Sequence, residues 1–169
     1  MLPLKDRARE GRANPIGIPV AYAASDEDTA LSEVRPAPGE YVSLVTLVTT
    51  RVLRMVNCAV DHDKTPLSYL YAGRGSSPDE MVQGVWSSID EAFARPVSRS
   101  DDVAEYSATQ IIAELFRDQG VEGIVYKSRM SDAGYNWALF DPTAVHIIKG
   151  SQSVFRTGRI RCEFDGVAL

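Results

Sequence analysis

GRANPIGIPVAYAASDEDTALSEV, residues 11–34, decides the fold class of this chain. Gly17 marks a turn, and the apolar run after it, IPVAYAA at 18–24, reads as a strand. Ser25 follows as a good helix N-cap, with Asp26, Glu27 and Asp28 in the first turn, where acids suit the helix dipole. The short helix then carries Ala30, Leu31 and Glu33. It ends before Pro36, because a residue preceding proline, here Arg35, is driven out of the helical region. The order is therefore strand, cap, helix. Tyr22 is expected at the end of the strand and Glu33 near the end of the helix.

Outward from this unit, residues 1–11 are polar and expected to be irregular. Residues 41–49 alternate as a strand, and 52–58 give another. Residues 61–78, with DHDKTP and GRGSSP, read as a loop. A helix is expected over 79–94, with Met81, Val82, Val85, Ile89, Ala92 and Phe93 on its apolar side. A second is expected over 105–119, with Ala108, Ile111, Ile112, Leu115 and Phe116 facing the core and Gly120 as its stop. Short strands follow at 123–126, 135–140 and 145–149, with one more at 159–164. No repeat, linker or low-complexity stretch interrupts the pattern. It describes a single α/β (α+β) domain over residues 1–169, with helices packed on short, mostly antiparallel strands.

Composition removes several classes of function. The chain has 169 residues, 44% of them hydrophobic and 24% charged, as in a globular domain. Its net charge is −5, so a broad nucleic-acid footprint, which is usually basic, is not expected. The cluster Arg156, Arg159 and Arg161 accordingly reads as a solvated strand face. The two cysteines, Cys58 and Cys162, form no CxxC pair, and His62 and His146 have no metal-ligand spacing. No metal site is expected, and both histidines read as structural or solvent-facing. The most apolar stretch, 41–56, is broken by Arg51 and Arg54, so no membrane association is expected and a cytoplasmic setting is the simplest reading.

Three stretches together resemble the RES family, named for its Arg, Glu and Ser: residues 11–34, EYSATQIIAELF at 105–116, and VEGIVYKSRMSDAGYNWALFDP at 121–142. The motif-bearing region runs over about 11–149. The resemblance places the family arginine, in Gly-Arg-x-Asn-x-x-Gly, at Arg12. It places the tyrosine of Tyr-x-Ala at Tyr22 and the glutamate of Ala-x-x-Glu at Glu33. The serine of Gly-Ile-x-Tyr-x-Ser falls on Ser128, and the asparagine of the closing strand on Asn136. This chain departs from many members in having Ala13 where they carry a large aromatic. What the resemblance implies is an ADP-ribosyltransferase-like core that acts on NAD⁺ as substrate, with no prosthetic group, as a growth-arresting toxin. It also implies an antitoxin partner with an Xre-type helix-turn-helix region, in a toxin–antitoxin hetero-oligomer or beside a homo-oligomer.

The residue types suit that chemistry. Nicotinamide leaves NAD⁺ as a neutral molecule, so no general acid is needed. One carboxylate, Glu33, can stabilise an oxocarbenium-like transition state. Arg12 offers a planar fork to the pyrophosphate, and the ring of Tyr22 can stack on the cationic nicotinamide. Glu33 and Arg12 are thus the expected catalytic residues. Arg12, Tyr22, Ser128, Asn14 and Asn136 are the expected substrate-binding ones, with Ser128 donating to a phosphate, ribose or carboxamide oxygen and Asn136 ordering the site. Thr109 and Gln110 lie on the second helix, where packing or solvent exposure is the expectation for both. Water, phosphate and a protein side chain all remain open as acceptors, a protein acceptor making the chain an ADP-ribosyltransferase. A catalytically silent, partner-binding module is the reading from outside enzymology.

Overall fold

The computed structural model describes residues 3–4, 7–59, 77–96 and 104–160. The opening unit forms largely as its sequence dictates. Strand β1, Ala21–Ala24, is followed by helix α1, Glu27–Glu33. The strand is shorter than expected because residues 15–20 belong to the loop before it: Gly17 donates to the carbonyl of Ala8 at 2.9 Å, and Pro19 has no N–H to give a ladder. Tyr22 is accordingly second in the strand, not at its end. Ala8, in the stretch expected to be irregular, is buried against this loop.

The helix cap is Asp26, not Ser25. The Asp26 carboxylate accepts from the Ser25 hydroxyl at 2.7 Å and from the Thr29 N–H and hydroxyl, each at 2.8 Å, and these bonds, the one from Ser25 foremost, hold its carboxyl below the usual range. Ser25 instead prolongs the strand: its N–H donates to the Tyr135 carbonyl at 2.9 Å, and its hydroxyl accepts from the Tyr135 N–H at 3.0 Å. Beyond α1, Arg35 leaves the helical region as its proline neighbour requires, but into a left-handed conformation with φ 45°.

The expected strand over 41–49 is broken in two. β2, Tyr41–Leu44, pairs with β8, Ser153–Arg156, while β3, Leu47–Thr49, pairs with β7, Val145–Ile147. The final strand therefore lies earlier than the expected 159–164, where Arg159 and Ile160 are irregular and the rest falls outside the described residues. β4 is confined to Met55–Asn57, and β5 and β6 are Gly123–Lys127 and Tyr135–Leu139. A four-stranded sheet in the order β1-β6-β5-β4 is antiparallel except for β4 against β5. The architecture is mixed α/β in small, mostly antiparallel sheets, as expected.

Helix α2, Pro78–Ala94, starts at a capping box between Ser77 and Glu80, and α3 is Ala104–Asp118. The expected loop over 61–78 lies almost wholly outside the described residues, its last two positions forming this cap and first turn. Gly120, with φ 73°, ends α3 by letting its own N–H and that of Val121 reach back to Arg117 and Phe116.

Both helices keep part of the expected apolar row inward, Ile89 and Phe93 on α2 and Ile112 and Phe116 on α3, but are rotated so that the rest of it lies outside. Met81, Val82 and Val85 of α2 and Ala108, Ile111 and Leu115 of α3 are exposed. The inward faces carry Ser87, Asp90 and Phe93 on α2, and Thr109 and Ala113 on α3. Phe93, Ala113, Ile124, Tyr126 and Ala138 form the core on the helical side of the sheet, with Ile89, Ile112 and Phe116 packed against them. Ala21, Leu139 and Val145 form a smaller core on the other side. Among the described residues no helix is long and apolar enough to cross a membrane.

Candidate active site

Arg12 reaches the site from the tip of a tight turn. Gly11 and Asn14 bridge across it, N–H to carbonyl, at 2.9 and 3.3 Å. The Asn14 side chain is buried and fastens the loop from within. The two hydrogens of its amide go to the carbonyls of Arg9 and Ile18, each at 2.8 Å, with the Pro15 carbonyl at 3.1 Å sharing one of them, and its Oδ1 accepts from the Tyr22 hydroxyl at 2.7 Å. The same hydroxyl accepts from the Ala13 N–H at 2.9 Å. Gly11 is required here, because a Cβ would lie 2.6 Å from the Tyr22 oxygen. Ala13 is 2% exposed and belongs to the core, so this turn has no room for a large aromatic.

Tyr22 is divided between two environments. Its hydroxyl is enclosed by the loop while 43% of the residue's surface stays open to a cleft. Burial raises its pKa to about 12, against the opposing pull of the Ala13 N–H and the Arg12 cation. A folded-state pKa above the ordinary 10.0 favours the fold below pH 10 and ceases to do so as pH rises towards 12. In a tyrosinate absorbance titration, we expect wild type to show one more late-ionising tyrosine than Tyr22→Phe, which keeps the buried Tyr126, together with a smaller loss of stability between pH 10 and 12 in that variant.

The Arg12 guanidinium donates to the carbonyl of Phe93, in the last turn of α2, where a cation complements the helix dipole. It also lies 5.9 Å from the centre of the Tyr126 ring. Tyr126 is buried, which raises the pKa of its hydroxyl, and its ring packs on Phe93 at 5.7 Å. Arg12 is thus held at its base by the loop and at its head by α2 and β5.

Glu33, the last residue of α1, faces the end of the sheet. Its Oε1 accepts from the Ser128 hydroxyl at 2.7 Å and from the Asn136 amide at 2.6 Å. Both donors are buried, Ser128 just after β5 and Asn136 on β6, in register with Ala24 and Tyr126. The Ser128 hydroxyl also accepts from the Met130 N–H at 3.0 Å, which fixes its proton toward Glu33. One carboxylate oxygen is therefore immobilised, and Oε2 takes no hydrogen bond from the described residues.

Arg12, Tyr22, Glu33, Tyr126 and Asn136 converge on one cleft of about 750 Å³, within the range that small-molecule sites occupy. The cleft runs along the free edge of β1 and is closed opposite by residues 43–47. Because Ser25 bonds to β6, the alternation of an antiparallel ladder turns the peptide groups of Tyr22 and Ala24 away from β6. Among the described residues that line it, Arg12 is the lone cation, beside Glu33, Asp26 and Glu27. Arg35 and Arg129 border a narrower recess behind Arg12 and Glu33. Ser128, expected to donate to substrate, gives its proton to Glu33, and Asn14 is enclosed in the loop. His146 is exposed, and among the described residues no group of His, Cys, Asp or Glu is arranged to hold a metal ion.

Tyr106 of α3 and Tyr126 also line the cleft, and the reading of the residues assigned neither a role. Tyr126 was within reach: two residues before Ser128, it projects to the same face of β5. Tyr106 had no comparable signal.

The sequence model of the RES domain matches residues 2–157, a span that contains every group described above. The chain belongs to the RES domain family. No curated protein matches it. Arg12, Glu33 and Ser128, onto which the resemblance carried the arginine, glutamate and serine of the family's name, all lie within the matched span. The serine binds the glutamate directly, and the arginine and glutamate share both the cleft and the recess behind it.

Proposed function

We propose that this RES domain cleaves the bond between nicotinamide and ribose in NAD⁺, with water or phosphate as acceptor, and that the loss of NAD⁺ arrests growth. The observation that carries this reading is the Glu33 carboxylate, pinned through Oε1 by Ser128 and Asn136 with Oε2 left unbonded among the described residues. Bond breaking moves the positive charge from the nicotinamide ring onto the ribose. A carboxylate already oriented toward that charge stabilises the transition state without reorganising. The departing nicotinamide is neutral, so one carboxylate suffices. When water attacks, the products are nicotinamide, ADP-ribose and a proton; when phosphate attacks, they are nicotinamide and a phosphorylated ADP-ribose.

The remaining groups suit the other parts of the substrate. Arg12 matches a pyrophosphate oxygen pair. The open face of Tyr22 offers a cationic ring a stacking surface, and the outward peptide groups of Tyr22 and Ala24 are complementary to a carboxamide. An antitoxin of the Xre type, covering the cleft with its C-terminal segment and contacting DNA itself, completes the proposal.

The test is incubation of the purified protein with NAD⁺, with and without phosphate, followed by chromatography. Nicotinamide release is expected, and the co-product names the acceptor. Intact NAD⁺ under both conditions would overturn the proposal.

A further inference from the structure

The turn that carries Arg12 is gripped from outside as well as from within. Gln110, on α3, donates from Nε2 to the carbonyl of Gly11 at 3.1 Å and to the carbonyl of Asn14 at 3.0 Å. These are the carbonyls that already accept from each other's N–H across the turn. A primary amide nitrogen has two hydrogens, so the two bonds use it completely. The opposite amide orientation would set Oε1 against two carbonyl oxygens, so the donors are fixed by the site. Gln110 ties together the two ends of a turn whose tip is Arg12 and Ala13.

The helix gives this contact a rigid base. Ala113, one turn along α3, is fully buried in the core, and Tyr106, one turn back, lines the cleft. The inward face of α3 thus sets Gln110 at a fixed height over the loop. Asn14 and Tyr22 hold the loop's inner side. Only Gln110, among the described side chains, bonds its two ends from outside.

We propose that Gln110 is a positioning residue that sets the height and direction of Arg12 and thereby the affinity for the pyrophosphate of NAD⁺. The role rests on the NAD⁺ reading above. Gln110 holds the backbone from which Arg12 projects, and Arg12 holds a part of the substrate remote from the bond that breaks. The charge of that pyrophosphate does not change as the bond breaks, and an interaction that holds bound substrate and transition state equally lowers KM without raising kcat. Losing Gln110 therefore raises KM and leaves kcat in place.

The variants are Gln110→Leu, which keeps the bulk and removes both donors, and Gln110→Lys, which restores donors on a flexible stem. Fold loss is not expected from either, because the Gly11 and Asn14 carbonyls each retain the partner across the turn. For Gln110→Leu, KM for NAD⁺ should rise roughly tenfold, the size expected for two neutral hydrogen bonds, with kcat changed less than about twofold. Gln110→Lys should recover most of that loss. In an Arg12→Lys background, Gln110→Leu should cost clearly less than it does in wild type, since both act through one guanidinium. A fall in kcat at constant KM, or losses that add in the double variant, would overturn the proposal. Amide hydrogen exchange over residues 9–18 reads the clamp without any substrate, and Gln110→Leu should speed it there by about an order of magnitude. Unchanged exchange sinks the clamp itself. If wild type neither binds nor turns over NAD⁺, the function proposed above fails, and exchange alone decides whether Gln110 holds the loop.

Discussion

Glu33→Gln is expected to slow nicotinamide release by roughly 10²–10³-fold or more, with the melting temperature within about 2 °C of wild type. The prediction follows from the asymmetry of the carboxylate. Glutamine can keep a carbonyl oxygen where Ser128 and Asn136 donate to Oε1, so the bonds that fasten α1 to the sheet survive. Its amide nitrogen then replaces Oε2 and presents hydrogens to a ribose that is gaining positive charge. The change is thus aimed at the transition state and nearly silent in the fold. Single-turnover measurement at saturating NAD⁺ separates this from weaker binding. A rate within tenfold of wild type would remove Glu33 from the chemistry.

Gly134→Ala is expected to be the most damaging methyl group that can be added near the site. A Cβ at this position lies 1.7 Å from the Thr29 hydroxyl oxygen and 2.7 Å from its Cβ and Cγ2. Thr29 cannot yield, because it is fully buried and its hydroxyl is bonded to the Asp26 cap. The first turn of α1 must therefore move off β6, and Glu33 at the other end of this short helix moves with it. Overpacking of this kind costs about 1–3 kcal/mol, and more where backbone must shift. We expect a fall in melting temperature of roughly 5 °C or more, with activity lost even in the fraction that stays folded. Thermal melting beside nicotinamide release checks both, and wild-type values for both would show that α1 tolerates displacement.

What could be read from the chain, and what could not, divides along sequence distance. Strand, cap and helix over residues 11–34 are local signals, and they form in that order with a strand that starts later, at Ala21, and a cap displaced by one position to Asp26. The pairing of β1 with β6 is a choice among distant strands that no local pattern records. The helix faces were legible only in part for a related reason. Thr109 can face inward because its hydroxyl bonds the Tyr106 carbonyl at 3.0 Å, and the same inward face must deliver Gln110 to the loop. Ile111 and Leu115 are left outside as a result. Motif order identified Arg12, Tyr22, Glu33, Ser128 and Asn136 as a group. The geometry that separates the carboxylate from the two donors holding it appears only when residue 33 meets residues 128 and 136.

That meeting has a consequence for synthesis. The glutamate is made 95 and 103 residues before its two donors, and the strand beside it is completed only by pairing with Tyr135–Leu139. On the ribosome, the Glu33 carboxylate stays unfastened by Asn136 until codon 136 has been read and the segment has cleared the exit tunnel. No truncated product that stops short of Asn136 can fasten Glu33 as the full chain does. Any activity that depends on the fastened carboxylate therefore waits for a segment made 103 residues after Glu33.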